Sequence, residues 1–543
     1  MSNSNTDEVV DSAHRYDYLI VGTGNAALTF AALMANSGKR VLMFEAHDIP
    51  GGYAQSFKWG EDFYFCGQVH YIWGCAPGGR IYEFLKRVGL EKDITFELHN
   101  PDMYDRMVLP DGKRVGIPYG WNRLVTNIEK AYPGQGPTVK RFTNLIEKIR
   151  AEVRNLPDVE HIKWYQYITQ GWRYPTLLKY RKRTLQQVFD EFKVPKEAQL
   201  VLIANAGDMM EPPERLSIFT FVGLFGGYNT GAYYPTKHFK YYIDRLAEFI
   251  TSHKGCRILY KAEVTNIVTE GERVVGVETN GGKIYTAKNY ICNGDPQMFA
   301  EMMGKEKFPE EYRKKLEYVY SPSGIMIYLG LKNANLREHG FGTFNTWHCE
   351  GWDMNQMWKE MGKGDFSNPW IFISTPTLHT SDKSTTPADC DIMEIAAYTE
   401  YGWLHSLREK DYAEYEKKKN ELAEKMLDLV EKYYYPELRS KIVTKCVGSA
   451  SSNEFWVKAP RGNAYGATFT PDQVGPGRLK AGTPWKNFWW CNATSGYAGM
   501  HGTASTGMDL YMQLTGDTFY NEKNSPTDDE KAEAAYAYAK HVK

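Results

Sequence analysis

Six residues, Gly22-Thr23-Gly24-Asn25-Ala26-Ala27, have the spacing that lets a backbone close around a pyrophosphate. Gly22 permits a tight turn, Gly24 has no side chain to hold a phosphate away, and Ala27 is small enough for a helix to pack closely on a strand. Such a loop works at a helix start, where free N–H groups and the positive end of the helix dipole face the anion. Glu45 stands 21 residues after Gly24, about where an acid hydrogen-bonds a ribose hydroxyl. A second glycine pair, Gly51-Gly52, follows closely and is succeeded by Tyr53 and Ser56.

These residues need particular elements to position them, and the flanking sequence supplies them. Tyr16–Val21 (YDYLIV) reads as a short buried strand, and 26–36 (AALTFAALMAN) as a helix that Gly38 ends. Val41–Glu45 (VLMFE) reads as a second strand ending on the acid. Strand, glycine turn, helix, strand and acid together predict an α/β, Rossmann-like dinucleotide site. No second fingerprint of this kind is present, so a dedicated NAD(P) domain is not expected.

Composition narrows the class. The 543 residues carry a formal charge of -1, which argues against a nucleic-acid partner. Hydrophobic residues at 42% and charged residues at 24% are those of a globular chain. Eight cysteines without a CxxC pair are not a disulfide scaffold or a metal site, and they point to a reducing, cytoplasmic compartment. Residues 1–15 are polar and lack the pattern of an export signal. The longest apolar run, Leu216–Tyr228, is too short for a spanning helix and reads as core, tunnel wall or membrane-surface contact. Aromatic residues reach 14%, and these are side chains that line apolar ligand space.

The Gly51-Gly52 pair beyond the ribose acid resembles the motif of the flavin amine oxidase and phytoene desaturase superfamily. That superfamily usually has an arginine where this chain has Tyr53. The likeness is strongest to the branch of carotenoid isomerases, bacterial-type phytoene desaturases and retinol saturases. It extends to the 102–117 hairpin around Asp111-Gly112, to Pro118-Tyr119-Gly120, to Gly231–Pro235 (GAYYP), and to Tyr290–Pro296 (YICNGDP). It ends on 488–507 (FWWCNATSGYAGMHGTASTG).

The resemblance implies FAD as cofactor. It assigns Val264 to the adenine, and Asn492, Gly499, Met500 and Thr503 to the second flavin contact. It also implies a discontinuous FAD-binding domain (1–120, 235–300 and 440–515), an inserted α+β substrate domain (121–234 and 301–439), and a helical tail at 516–543. The tail helix, with Ser525 as cap, is expected to be surface decoration.

His501 in the last flavin loop is the first catalytic candidate, or else caps the helix or packs beneath the ring. Tyr233 and Tyr234 are proton donors or tunnel walls. His70, beside Tyr71, resembles a Gly-x-His-Tyr segment of retinol saturases, or is a core histidine. Asp208, Glu211 and Glu214 around Pro212-Pro213 read as an acid/base cluster or as a solvated loop. The basic run Lys179, Arg181, Lys182, Arg183 reads as a lipid-headgroup contact or a solvated face.

The implied activity is desaturation, saturation or cis–trans isomerisation of a long apolar isoprenoid. A polyunsaturated fatty-acid double-bond isomerase is a second reading, and a prenyl-binding protein of Rab escort or GDI type is the non-catalytic one. A membrane surface is a partner these features allow. The oligomeric state is left open.

Overall fold

The computed structural model describes residues 16–156, 171–524 and 526–541. Residues 1–15, the aromatics Trp164, Tyr165 and Tyr167, and the expected cap Ser525 lie outside the described residues.

Short runs rich in Val, Ile, Leu and Phe, apolar on both faces, form a five-stranded parallel sheet, as expected where helices cover both sides. Its order is Arg257–Leu259, Val41–Phe44, Tyr18–Val21, Asn289–Cys292, Phe488–Trp490. The expected strands, turn and helix thus form, with the helix at Asn25–Asn36 and Gly38 in the left-handed region at φ 80°. This helix packs on the helix Gly499–Thr515, the C-terminal helix of the core that precedes the tail. Their contact is close because Gly507 has no side chain; a Cβ there would overlap the Ala26 carbonyl. Strands Val264–Glu270 and Arg273–Thr279 form the expected antiparallel pair.

A second, seven-stranded sheet carries the other large core. Its order is Ile442–Gly448, Ser323–Lys332, Cys390–Thr399, Trp370–Ser374, Asn345–Cys349, Asp105–Val108, Arg114–Ile117. The boundaries expected at 120 and 440 do not follow this sheet. The Asp105–Ile117 hairpin forms as expected, but its first strand pairs in parallel with Asn345–Cys349. Ile442–Gly448 likewise pairs with Ser323–Lys332. Short strands bond wherever an open sheet edge is offered, and sequence order does not say which edge that is. A small third sheet places Ala232–Pro235 between Ile72–Trp73 and Phe96–Leu98.

The tail helix Asp528–His541 is not decoration. Ala532 and Ala535 are buried in the large core. Arg150 and Arg154 both donate to Asp528, and Arg123 donates to Glu533. The acidic first turn, which reads locally as a response to the helix dipole, is here the partner of two arginines from the helix Gly136–Arg154.

Candidate functional site

A continuous cavity of about 2140 Å³ runs from the glycine loop, past the start of the C-terminal helix, to the helix Ile218–Tyr228. Gly22, Gly24, Asn25, Ala26, Glu45, Gly51, Gly52 and Tyr53 border its first half. Gly51 sits at φ 119° and Gly52 at φ 56°, conformations that favour glycine. A Cβ on Gly24 would overlap Asn293 Oδ1, and one on Gly52 would lie 3.3 Å from Gly24 Cα. The Gly24 N–H donates to Asn293 Oδ1 at 3.0 Å, while Asn293 Nδ2 donates to the Cys491 carbonyl. One asparagine therefore ties the glycine loop to the end of the strand Phe488–Trp490. Sequence reasoning passed over Asn293, although it lies inside the YICNGDP segment.

The donor set suits FAD. The helix Asn25–Asn36 begins with no side-chain cap and no acid in its first turn, so its N–H groups are free for phosphate. Asn25 Nδ2 bonds the Met500 carbonyl and Thr503 hydroxyl, but its buried Oδ1 has no protein partner. Glu45 Oε1 accepts from the His47 N–H at 2.9 Å, and its Oε2 accepts from the Thr23 N–H at 3.1 Å and from the Thr23 hydroxyl. Its carboxylate is thereby held at the cavity edge, where a ribose would meet it. Val264 borders the cavity as the adenine wall requires. Ala27 is fully buried behind the loop, and Ser56 starts a hairpin with Cys66; neither borders the cavity.

At the other end, Gly499 opens its helix at φ 74°, again with no side-chain cap and no first-turn acid. Asn492, Gly499, Met500 and Thr503 all border the cavity. Their loop is pinned from behind by Arg478, which donates to the Ala493 carbonyl at 2.6 Å and the Gly496 carbonyl at 2.7 Å. Burial lowers the Arg478 pKa to about 10, which still leaves it charged at neutral pH.

Beyond the Gly499 helix start, aromatic rings connect two clusters. His501 stacks on Trp73 at 4.4 Å, Trp73 meets Tyr228 edge-on at 4.7 Å, and Tyr228 stacks on Tyr71 at 4.0 Å. Burial and then the Arg80 charge push the His501 pKa down to about 3, so its imidazole is neutral at physiological pH. The Tyr71 hydroxyl lies 2.7 Å from Asp208 Oδ2 and 3.1 Å from Asp105 Oδ2. Burial raises the Asp208 pKa to about 6, against the lowering effects of Tyr71 and His70. Asp105 is more deeply enclosed, and burial with the nearby Asp208 charge raises it well above the usual range. His70 borders the cavity and bonds buried Glu394 at 3.0 Å.

The cluster around Pro212-Pro213 divides. Asp208 lines the cavity, Glu211 is fully buried and accepts from Thr468 and Arg215, and Glu214 alone is exposed, as a solvated loop requires, paired with Lys359. Tyr233 and Tyr234 do not border the cavity, because their strand is the middle one of its sheet and is buried throughout. Tyr234 instead bonds His238 at 3.1 Å.

The aromatic excess divides similarly. Phe219, Tyr228 and Tyr174 face the cavity, whereas Phe221, Phe225, Trp347, Trp358 and Trp490 fill cores. Trp172 and Trp352 are exposed. Arg181 and Lys182 border the cavity beside Leu177 and Leu178, while Lys179 pairs with Glu191. All eight cysteines are free, and no described helix is long and apolar enough to cross a membrane.

Comparison with known proteins agrees with this geometry. The sequence profile described as flavin containing amine oxidoreductase matches residues 28–509. Prolycopene isomerase 1, chloroplastic, from an Oncidium hybrid cultivar is 25% identical over 470 residues, covering 84% of this chain and 76% of the relative. All-trans-retinol 13,14-reductase from Danio rerio is 22% identical over 516 residues, covering 87% and 81%. Among solved structures, putrescine oxidase bound to putrescine superposes with a TM-score of 0.64 at 15% identity, covering 92% of this chain and 99% of that one. Cyclohexylamine oxidase from Brevibacterium oxydans gives 0.60 at 12% identity, covering 96% and 100%.

Proposed function

The chain belongs to the flavin containing amine oxidoreductase family and is an FAD-dependent oxidoreductase; from that premise we propose that it acts on a carbon–carbon double bond of a long apolar isoprenoid, a carotenoid or retinoid. The observation that carries this reading is the second half of the cavity. Phe219, Val222, Gly223, Leu224 and Tyr228 project from one helix along it, and Trp73 and Tyr71 continue it toward the C-terminal helix. A long polyene needs such a long apolar wall and few polar anchors.

Bound FAD supplies hydride exchange at its N5. The loop of Gly22–Ala26 and the Asn25–Asn36 helix start would receive the pyrophosphate. Glu45 would take the ribose, and the N–H groups at Gly499–His501 would stabilise negative charge on the reduced ring. Trp73 and Tyr228 line the cavity between His501 and Asp208. The reaction within this class is saturation or cis–trans isomerisation. The likeness to a prolycopene isomerase and a retinol reductase supports both.

A polyunsaturated fatty acid is the second reading, because Arg181 and Lys182 border the cavity where an incoming carboxylate would meet them. One experiment separates the outcomes. The purified protein, loaded with FAD, is reduced anaerobically and mixed with a carotenoid, retinol or a polyunsaturated fatty acid. Flavin reoxidation with loss of polyene absorbance identifies saturation. A shifted polyene spectrum without flavin oxidation identifies isomerisation. Turnover confined to the fatty acid selects the second reading, and no response to any of the three refutes the proposal.

A further inference from the structure

We propose that Asp105, Tyr71 and Asp208 form a directed proton relay, with Asp208 the catalytic residue that exchanges a proton with a substrate carbon. The inference rests on the reading of this cavity as a site for double-bond chemistry.

A tyrosine hydroxyl carries one hydrogen and can donate once, although its oxygen can also accept. Tyr71 Oη has two carboxyl oxygens within hydrogen-bond distance, at 2.7 Å on Asp208 and 3.1 Å on Asp105. It cannot donate to both. One carboxyl must therefore be protonated and donate to Tyr71. Asp105 is the one: it is fully buried, and burial together with the nearby Asp208 charge outweighs the lowering effects of Tyr71, Trp347 and Asn345. The resting order is Asp105 O–H to Tyr71 Oη, and Tyr71 O–H to the Asp208 carboxylate.

The chain points from core to cavity. Asp105 comes from the large sheet, Tyr71 from the segment leading into the small sheet, and Asp208 from the turn between two helices; only the last two border the cavity. The titratable groups around Asp208 are Tyr71, Asp105, His70, Tyr104, Tyr228 and Tyr465. The tyrosines are neutral at physiological pH, and His70 is itself tied to Glu394. The Asp208 pKa of about 6 is close to that of an efficient general acid or base at physiological pH.

The step balances in either reaction. Concerted shifts along the chain move the Asp105 proton to Tyr71 and the Tyr71 proton to Asp208. Asp208 then gives its proton to one alkene carbon, whose π pair becomes the new C–H bond. In saturation the neighbouring carbon, left two electrons short, takes hydride from the reduced flavin, and a proton from solvent re-enters at Asp208, the member of the chain on the cavity, and restores Asp105 through Tyr71. In isomerisation the same C–H pair returns to the π bond after rotation, Asp208 recovers the proton, and no redox change occurs.

Two measurements on the FAD-loaded protein test this. Infrared titration should show a protonated carboxyl persisting above neutral pH that disappears in Asp105→Asn, and a second carboxyl titrating near 6 that disappears in Asp208→Asn. Tyr71→Phe should move that second titration upward, since Tyr71 lowers it. Asp208→Asn should lower turnover by about 100-fold or more, with flavin content and visible spectrum unchanged. Absence of a protonated carboxyl above neutral pH overturns the relay whatever the substrate. Turnover in Asp208→Asn equal to that of the native protein overturns the catalytic role alone. No turnover of any polyene by the native protein overturns instead the functional reading on which the relay rests.

Discussion

Asn293 offers a direct test of how the flavin site is assembled. Its side chain accepts from the Gly24 N–H, 269 residues before it, and donates to the Cys491 carbonyl, 198 residues after it. In Asn293→Ala both partners lose their hydrogen bond. Each bond contributes about 1 kcal/mol net, and an unsatisfied buried group costs about 1–3 kcal/mol. Cys491 is fully buried, so its carbonyl bears the larger cost. The combined loss is about 2–4 kcal/mol. If it is expressed as misplacement of the glycine loop, FAD affinity falls by about 30- to 1000-fold. Titration of the apoprotein with FAD, followed by flavin fluorescence, reads this directly. Gly24→Ala should give a loss of the same order, because its methyl would displace the same Oδ1. Asn293→Asp keeps the acceptor for Gly24 but sets a carboxylate oxygen against the Cys491 carbonyl, and should lose at least as much. An Asn293→Ala protein that binds FAD within threefold of native would refute the clamp.

Further predictions address the other half of the cavity and the fold. The Asp208 pKa rises from 3.8 to about 6 on folding. The folded chain therefore holds an extra proton between those values, and stability falls as pH rises through that window. The resulting penalty above the window is about 3 kcal/mol, so Asp208→Asn should be more stable than native at neutral pH and nearly equal to it at low pH, as read by denaturant melts. Gly223→Leu places a side chain into the cavity at a helical position where a Cβ meets nothing within 4 Å. Its melting temperature should be unchanged or higher, since Leu favours helix by roughly 1 kcal/mol over Gly, while kcat/KM for a long polyene falls at least tenfold. Asp528→Ala removes the shared partner of Arg150 and Arg154. It should cost about 1–3 kcal/mol, between exposed and fully buried pairs, and should expose the tail helix to limited proteolysis.

The sequence alone determined the nucleotide half of this protein. Gly22, Gly24, Glu45 and Gly51-Gly52 act through backbone conformation and close approach, and such requirements are written into residue type at fixed local spacing. The flanking strand and helix are equally local, so the first half of the central sheet could be read from periodicity. Val264, Asn492 and Gly499 came from likeness to a family, and all three border the cavity.

What only the tertiary structure decided is the catalytic half. Tyr71 meets Asp208 across 137 residues and Asp105 across 34. Each is an ordinary residue in its own segment: Asp208 precedes a Pro-Pro turn and Asp105 opens a hairpin strand. The pairing of the edge hairpin Asp105–Ile117 with the large sheet is what carries Asp105 to the Tyr71 hydroxyl behind the cavity wall, and no local pattern specifies which sheet edge a short strand will join. The same limit explains Tyr233 and Tyr234, whose motif suggested a wall but whose strand is covered on both faces. It also explains the tail helix, whose acids have a local reading at a helix start until two arginines of a distant helix are seen to meet Asp528. Local spacing encodes what the backbone must do, whereas a shared proton requires side chains that only the packed chain brings within 3 Å or so of one another.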